Sequence, residues 1–242
     1  LELLDLAERY IVRNIRSEVV IGKVGMRRQE VPEVPLEAIR ETLANALCDG
    51  QVVIVATDTV YGLAALPGST GYASIFELKE RSADQVLPWL VHDVAALDVL
   101  VDGAPAYARR LAQMFWPGAL TLVLHASKAA CELGDVAADG TIALRCPDDA
   151  DLLALLDELD GPLACTSANA HGEPAPTCLK DVPISMRALP GGELLPEACR
   201  DGRASTIVDC TGPYPKILRE GPIPEQVLLD VAVFGATLTS HE

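Results

Sequence analysis

The sequence predicts an α/β fold, a sheet covered by helices, and three observations carry that prediction. Short apolar runs break again and again into hydroxyls, amides or cations, as at 52–63 (VVIVATDTVYGL), 162–169 (PLACTSAN) and 141–145 (TIALR). Between them lie segments with apolar residues at helical spacing, such as Leu36, Ile39, Leu43 and Leu47. The core must also be aliphatic, because half of the residues are hydrophobic while only 4% are aromatic. Leu, Val, Ile and Ala in that proportion suit a sheet packed under helices.

Taken in order, 1–30 reads as a short helix bearing Leu3, Leu4, Leu6 and Ile11, then a Val/Ile segment, then the charged MRRQE. Pro32 and Pro35 break the chain like a linker, so 1–35 is expected to be an appendage and 36–242 the main domain. The helix from Leu36 should stop at Asp49-Gly50, where glycine tolerates a left-handed cap. The run 52–56 is then expected as a strand buried on both faces, delivering Thr57, Asp58, Thr59 and Tyr61 at its carboxyl end, with Gly62 freeing the backbone to turn.

After a glycine-bearing loop at 67–71, a helix is expected over 72–81, with Ile75 and Leu78 inward and Lys79 and Arg81 at its end. A short strand at 87–91 runs into His92, and helices follow at 94–100 and 107–114. WPGALTLVL (116–124) is a turn feeding a strand, and 141–145 is a strand ending on Arg145. An Asp-capped, Leu-rich helix covers 149–159. GEPAPT (172–177) is a proline-stiffened loop, and 182–202 reads mainly as a mobile connection. Strands STIVD (205–209) and KILREG (216–221) precede a terminal apolar segment.

Composition narrows the function. No apolar run approaches the roughly 20 residues that span a bilayer, and the acidic, amphipathic start does not resemble a signal peptide, so a cytoplasmic protein without membrane attachment is expected. Seven cysteines without a CxxC pair suggest neither a disulfide framework nor a zinc site, and they are expected to be reduced. The four histidines lack metal-ligand spacing, so no metal is expected on protein side chains. Net charge is −16, and beyond residue 40 there are 12 basic against 28 acidic residues. Such a body repels phosphate backbones and argues against tight stand-alone binding of nucleic acid.

Against that background, cations and hydroxyls gather at element ends: Thr57 and Thr59, Lys79 and Arg81, Thr141 and Arg145, Ser167 and Asn169, and Ser205 with Arg219. If these converge, they make a site for a polyphosphate and a carboxylate. Each member also has an ordinary structural role. Lys79 and Arg81 complement a helix dipole, Arg145 and Arg219 can pair with nearby acids, Ser167 and Asn169 shape a turn, and His92 can be a surface histidine. Neither a P-loop nor GxGxxG is present, and no Ser/His/Asp set marks a covalent nucleophile. Transfer at such a site would proceed by positioning and charge stabilisation.

TDTVYGL, the Lys-x-Arg of KER, FWPGALTLVL, TIALRCP, TSAN followed by GEPAPT, STIVD and LREG stand in the order and approximate spacing of the YrdC/YciO-type threonylcarbamoyl-AMP synthases, which 36–225 resembles. The resemblance implies a YrdC-like twisted mixed sheet with flanking helices and a concave basic cavity. It implies a nucleotidyltransferase that joins L-threonine, bicarbonate and ATP, with Mg2+, into threonylcarbamoyl-AMP and pyrophosphate. That is the first step toward threonylcarbamoyladenosine in tRNA, and a tRNA threonylcarbamoyl-transferase complex is the implied partner. By the same resemblance Lys79 and Arg81 would be catalytic, contacting phosphates. Thr141, Ser167, Asn169, Ala175 and Arg219 would line ATP, while Thr57, His92, Arg145, Cys165 and Ser205 would line threonine. Ala56 and Ser82 stand where the family usually has proline, and the loop SADQVL after Arg81 is longer than usual. The extended C-terminal domain of the longer synthases is not expected. Two other readings stay open: a YrdC-like paralogue that binds a nucleotide or RNA end without adenylation, and a carbamoyl-adenylating domain of the hydrogenase-maturation kind.

Overall fold

The computed structural model describes residues 35–80, 86–170, 172–189, 191, 200 and 202–234. The expected appendage, apart from Pro35, lies outside these residues, as do Arg81 and most of the loop that follows it. Leu36–Glu242 belongs to one compact unit.

Eight strands form one mixed sheet among the described residues: β1 (Val53–Ala56), β2 (Tyr61–Ala65), β3 (Trp89–Leu90), β4 (Leu120–His125), β5 (Thr141–Arg145), β6 (Leu163–Ser167), β7 (Thr206–Asp209) and β8 (Lys216–Arg219). Their order is β1-β2-β6-β3-β5-β4-β7-β8. The pairs β3/β5 and β4/β7 are parallel, and the other five neighbours are antiparallel. The helices are α1 (Leu36–Cys48), α2 (Thr70–Leu78), α3 (Ala96–Leu100), α4 (Ala106–Phe115), α5 (Lys128–Leu133), α6 (Ala150–Leu159), α7 (Ile184–Arg187) and α8 (Glu225–Phe234). No helix among the described residues is long and apolar enough to cross a membrane.

The period-2 alternation of the strands divides the core into two. On one face Ile54, Tyr61, Leu63, Trp89, Leu120, Leu122, Ile142, Leu144 and Val208 join one large cluster that includes Ile75 and Phe76 of α2 and Leu111 of α4. On the other face Val53, Val55, Ala64, Leu90, Leu163 and Cys165 pack against Leu43 and Leu47 of α1 and Leu152, Leu155 and Leu156 of α6. An ion pair of 3.2 Å between Arg40 and Glu158 ties these two helices. The second cluster stops at β3 and β6. On the same face of β5, β4 and β7, Thr141, Ala143, Val123 and Ile207 are only half-buried. The polar residues collect on this half of the sheet, which no helix among the described residues covers as α1 and α6 cover the other half.

Local signals explain several element ends. Gly50 has φ +76°, the left-handed conformation expected after α1. Ser69, Ser127 and Asp149 each accept a backbone N–H in the first turn of α2, α5 and α6.

Several expectations need correction. β1 is buried on both faces but is an edge strand in an antiparallel hairpin with β2, and residues 57–60 are the turn of that hairpin. Gly62 is therefore not a turn residue. It sits within β2 opposite Val55 and Ser167, where a Cβ would lie 2.6 Å from Cys165 Sγ and 3.0 Å from the Thr166 carbonyl oxygen. The strand after Arg81 shrinks to Trp89–Leu90. The helix α5 had no counterpart in the sequence reading, and the described residues of 182–202 include the short helix α7, while 190, 192–199 and 201 lie outside the described residues. The cysteines are not all reduced, because Cys178 is disulfide-bonded; the absence of a CxxC pair is no bar to a bridge between residues brought together by folding.

The close approach at Gly62 makes a specific demand. Gly62→Ala should destabilise the protein by about 1–3 kcal/mol in urea denaturation, and Cys165→Ala in the same chain should recover part of that loss by removing the sulfur atom.

Candidate active site

Arg145, the last residue of β5, is the centre of the polar face, and it is only 7% exposed. Its Nε donates to the Gly118 carbonyl at 3.0 Å, Nη1 to Thr59 Oγ1 at 2.9 Å and Nη2 to Asp58 Oδ1 at 2.6 Å. The fork is thus held from the β1–β2 turn and from the turn ahead of β4. Gly118 suits that second turn because a Cβ there would lie 2.7 Å from the Phe115 carbonyl oxygen.

Thr57 organises the hairpin turn. Its Oγ1 accepts the N–H groups of Thr59 and Val60, donates to the Val60 carbonyl at 2.8 Å, and lies 2.9 Å from Thr59 Oγ1. Thr57 and Thr59 are both buried. A second group lies beyond β4 and β7: Ser205 Oγ is 2.8 Å from Thr121 Oγ1, and Arg219 donates from Nε and Nη2 to the Ser205 carbonyl at 3.1 and 2.9 Å. Partial burial, then the Arg145 charge, lowers the pKa of Arg219 from its ordinary value. An anion beside these two guanidinium groups would offset the repulsion that acts on Arg219.

Lys79 forms a third group. It follows α2 at the C-cap and is 4% exposed. Its Nζ donates to the Ser167 carbonyl, to the Asn169 carbonyl at 2.8 Å and to Asn169 Oδ1 at 3.1 Å. The ammonium therefore pins the turn after β6, and Asn169 Nδ2 continues to the Glu173 carbonyl. Ala175 is half-buried in the loop beyond, anchored where the Pro176 carbonyl accepts the Tyr61 N–H.

Two expected site residues stand apart. Thr141 begins β5 while Arg145 ends it, so both project from one face with about 13 Å of strand between them, and Thr141 Oγ1 donates to Asp139 Oδ1 at 2.7 Å. The His92 side chain is exposed and lies 3.8 Å from Asp93, although its carbonyl oxygen accepts the Cys146 thiol. Arg81 falls outside the described residues.

Sequence reasoning missed Thr121 and Gly118, which sit inside FWPGALTLVL among core residues. It also missed the pairing of Arg200 with Asp149 at 3.2 Å. Nothing local marks these, since each partner is brought by another part of the chain. Burial pushes the Cys146 and Cys165 thiols up to about 12, so neither offers a thiolate at neutral pH. No group of three or more His, Cys, Asp or Glu among the described residues is placed to hold a metal ion. The arrangement can bind and orient anions, but these groups supply no activated nucleophile.

A family model for Sua5, YciO and YrdC, described as telomere recombination, matches residues 45–221. A putative threonylcarbamoyl-AMP synthase of Mycobacterium leprae is 39% identical over 180 residues, covering 74% of this chain and 80% of the relative. Threonylcarbamoyl-AMP synthase of Bacillus subtilis is 35% identical over 184 residues, 76% of this chain but 53% of the relative. Among solved structures, Sua5 of P. abyssi complexed with L-threonine superposes with a TM-score of 0.71 at 32% identity, covering 83% of this chain and 58% of that one. The chain thus spans little more than half the length of these last two.

Two measurements follow from the geometry. Lys79→Met keeps the aliphatic stem but leaves the Ser167 and Asn169 carbonyls without their donor, and it should cost about 1–3 kcal/mol in denaturant unfolding. Iodoacetamide at neutral pH should modify the exposed Cys48 and Cys131 in the native protein, while Cys146, Cys165 and Cys210 should react only after unfolding.

Proposed function

The chain belongs to the Sua5/YciO/YrdC family, and from that premise we propose that it is a threonylcarbamoyl-AMP synthase acting on L-threonine, bicarbonate and ATP. The observation that carries the reading is the buried Arg145 guanidinium, held in a fixed orientation, with Arg219 near enough that burial and then the Arg145 charge lower the Arg219 pKa. Two cations so placed suit one substrate that bears a carboxylate and another that bears phosphates. The relative complexed with L-threonine supports the first of these substrates.

In this reading Arg145 binds the threonine carboxylate, and the buried Thr57 turn shapes that end of the site together with Ser205 and the backbone at Cys165. Arg219, Lys79, Arg81, Ser167, Asn169, Thr141 and the backbone near Ala175 serve ATP, and the breadth of the face between Arg145 and Thr141 leaves room for both substrates. His92 borders the threonine end. The threonine nitrogen and bicarbonate condense to a carbamate with loss of water. A carbamate oxygen then attacks the α-phosphorus of ATP, and the bond to the pyrophosphate oxygen breaks. Products are threonylcarbamoyl-AMP and pyrophosphate. The protein's part is to hold the reactants in line and to offset charge. Mg2+ brought with ATP would supply charge compensation for the leaving pyrophosphate, and no cluster of carboxylate, imidazole or thiol groups among the described residues would hold it independently of ATP. The product is unstable in kind, a mixed anhydride, and we assign its consumer to a tRNA threonylcarbamoyl-transferase complex.

The test is pyrophosphate release from ATP, bicarbonate and Mg2+, with and without L-threonine. Release should require threonine. Arg145→Ala should lower kcat/KM for threonine about 10–100-fold, the loss expected when a charged hydrogen-bond partner is removed. Pyrophosphate release that ignores threonine, or an Arg145→Ala enzyme with unchanged kcat/KM, sinks the proposal.

A further inference from the structure

Asp58 is the acidic side chain in direct contact with the Arg145 guanidinium, although in the sequence it is only one polar residue at a strand end. Its side chain is 17% exposed and that of Arg145 8%. One carboxylate oxygen, Oδ1, takes both the Arg145 Nη2 donor at 2.6 Å and the Asp148 backbone N–H at 3.2 Å. Asp58 is therefore braced against the connection that leaves β5 before it braces the side chain that β5 delivers. Arg145 has five N–H donors. Three are spent on Gly118, Thr59 and Asp58, which leaves one on each terminal nitrogen for a ligand.

An unrestrained arginine carries large rotameric freedom and loses it when it grips a ligand. Here that ordering is done in advance, and Asp58 also offsets a charge that otherwise faces Arg219. We propose that Asp58 is a positioning residue: it holds the Arg145 guanidinium so that its two remaining donors meet the carboxylate of the amino-acid substrate. The proposal rests on the functional reading above, in which that carboxylate belongs to L-threonine. Asp58 touches neither substrate in this scheme. It acts through Arg145, and its effect is confined to recognition of the carboxylate.

Isothermal titration with L-threonine, with L-threoninamide, which lacks the carboxylate, and separately with ATP tests this on the full chain. Wild type should prefer L-threonine over the amide. Asp58→Ala should weaken L-threonine binding at least about tenfold, bring the two affinities toward each other, and leave ATP affinity within about twofold. Asp58→Asn keeps an acceptor oxygen at the same place and should restore most of the preference. A wild type that binds no threonine overturns the functional reading and this proposal with it. A wild type that binds threonine, with Asp58→Ala keeping the full preference over the amide, overturns this proposal alone. Parallel loss of ATP affinity, or an Asp58→Asn variant as impaired as Asp58→Ala, overturns it as well.

Discussion

A buried guanidinium is costly to place in a protein interior unless its donors are satisfied, and the polar half of this molecule is arranged around that requirement at Arg145. Three N–H groups are met by three acceptors from two turns, one before β2 and one before β4. Those turns are far apart in sequence from β5, so the fold must be complete before the arginine is satisfied. The same contacts bind the β1–β2 hairpin to the middle of the sheet, with Asp58 reaching the backbone beyond β5 as well. Stability, and in the proposed scheme recognition of the carboxylate, depend on one set of bonds.

The sheet makes room for this by using its two faces differently. One face is packed along its length by the large aliphatic cluster. The other is covered by α1 and α6 only as far as β3 and β6, so side chains on β5, β4 and β7 stay half-exposed between the polar groups. Where those helices stop, strand ends bring Arg145, Ser205 and Arg219 to the same half of the sheet. Lys79 arrives from the end of α2 and is consumed by carbonyl groups, which couples the turn after β6 to that helix.

Charge has a matching division. The chain carries a net charge of −16, whereas Arg145, Arg219 and Lys79 each hold a fixed place in the polar half, Arg145 with Asp58 as its ion-pair partner. An acidic body repels polyanions, and in the proposed scheme a bound anion offsets the repulsion from Arg145 that helps to lower the Arg219 pKa. The thiols nearest to the site, Cys146 and Cys165, are kept protonated by burial, which leaves orientation and electrostatics as the means of catalysis.

Periodicity, caps and strand-end polar groups are local signals, so the α/β class, most helix and strand positions and the kinds of residue at the site could be read from the chain before it folds. Gly50, the Asp149 cap and the strand ending on Arg145 were all legible for that reason. Partners were not. That β1 is an edge strand in a hairpin, that Gly62 is small because Cys165 lies against it, that Thr121 supports Ser205, and that Asp58 and Thr59 share Arg145 were decided by strand order alone. Hydrogen bonds between residues 80 to 90 positions apart, such as Asp58 with Arg145 and Lys79 with Asn169, leave no trace in the local pattern, since either member is equally at home as a solvated charge or a turn residue until the sheet brings the other beside it.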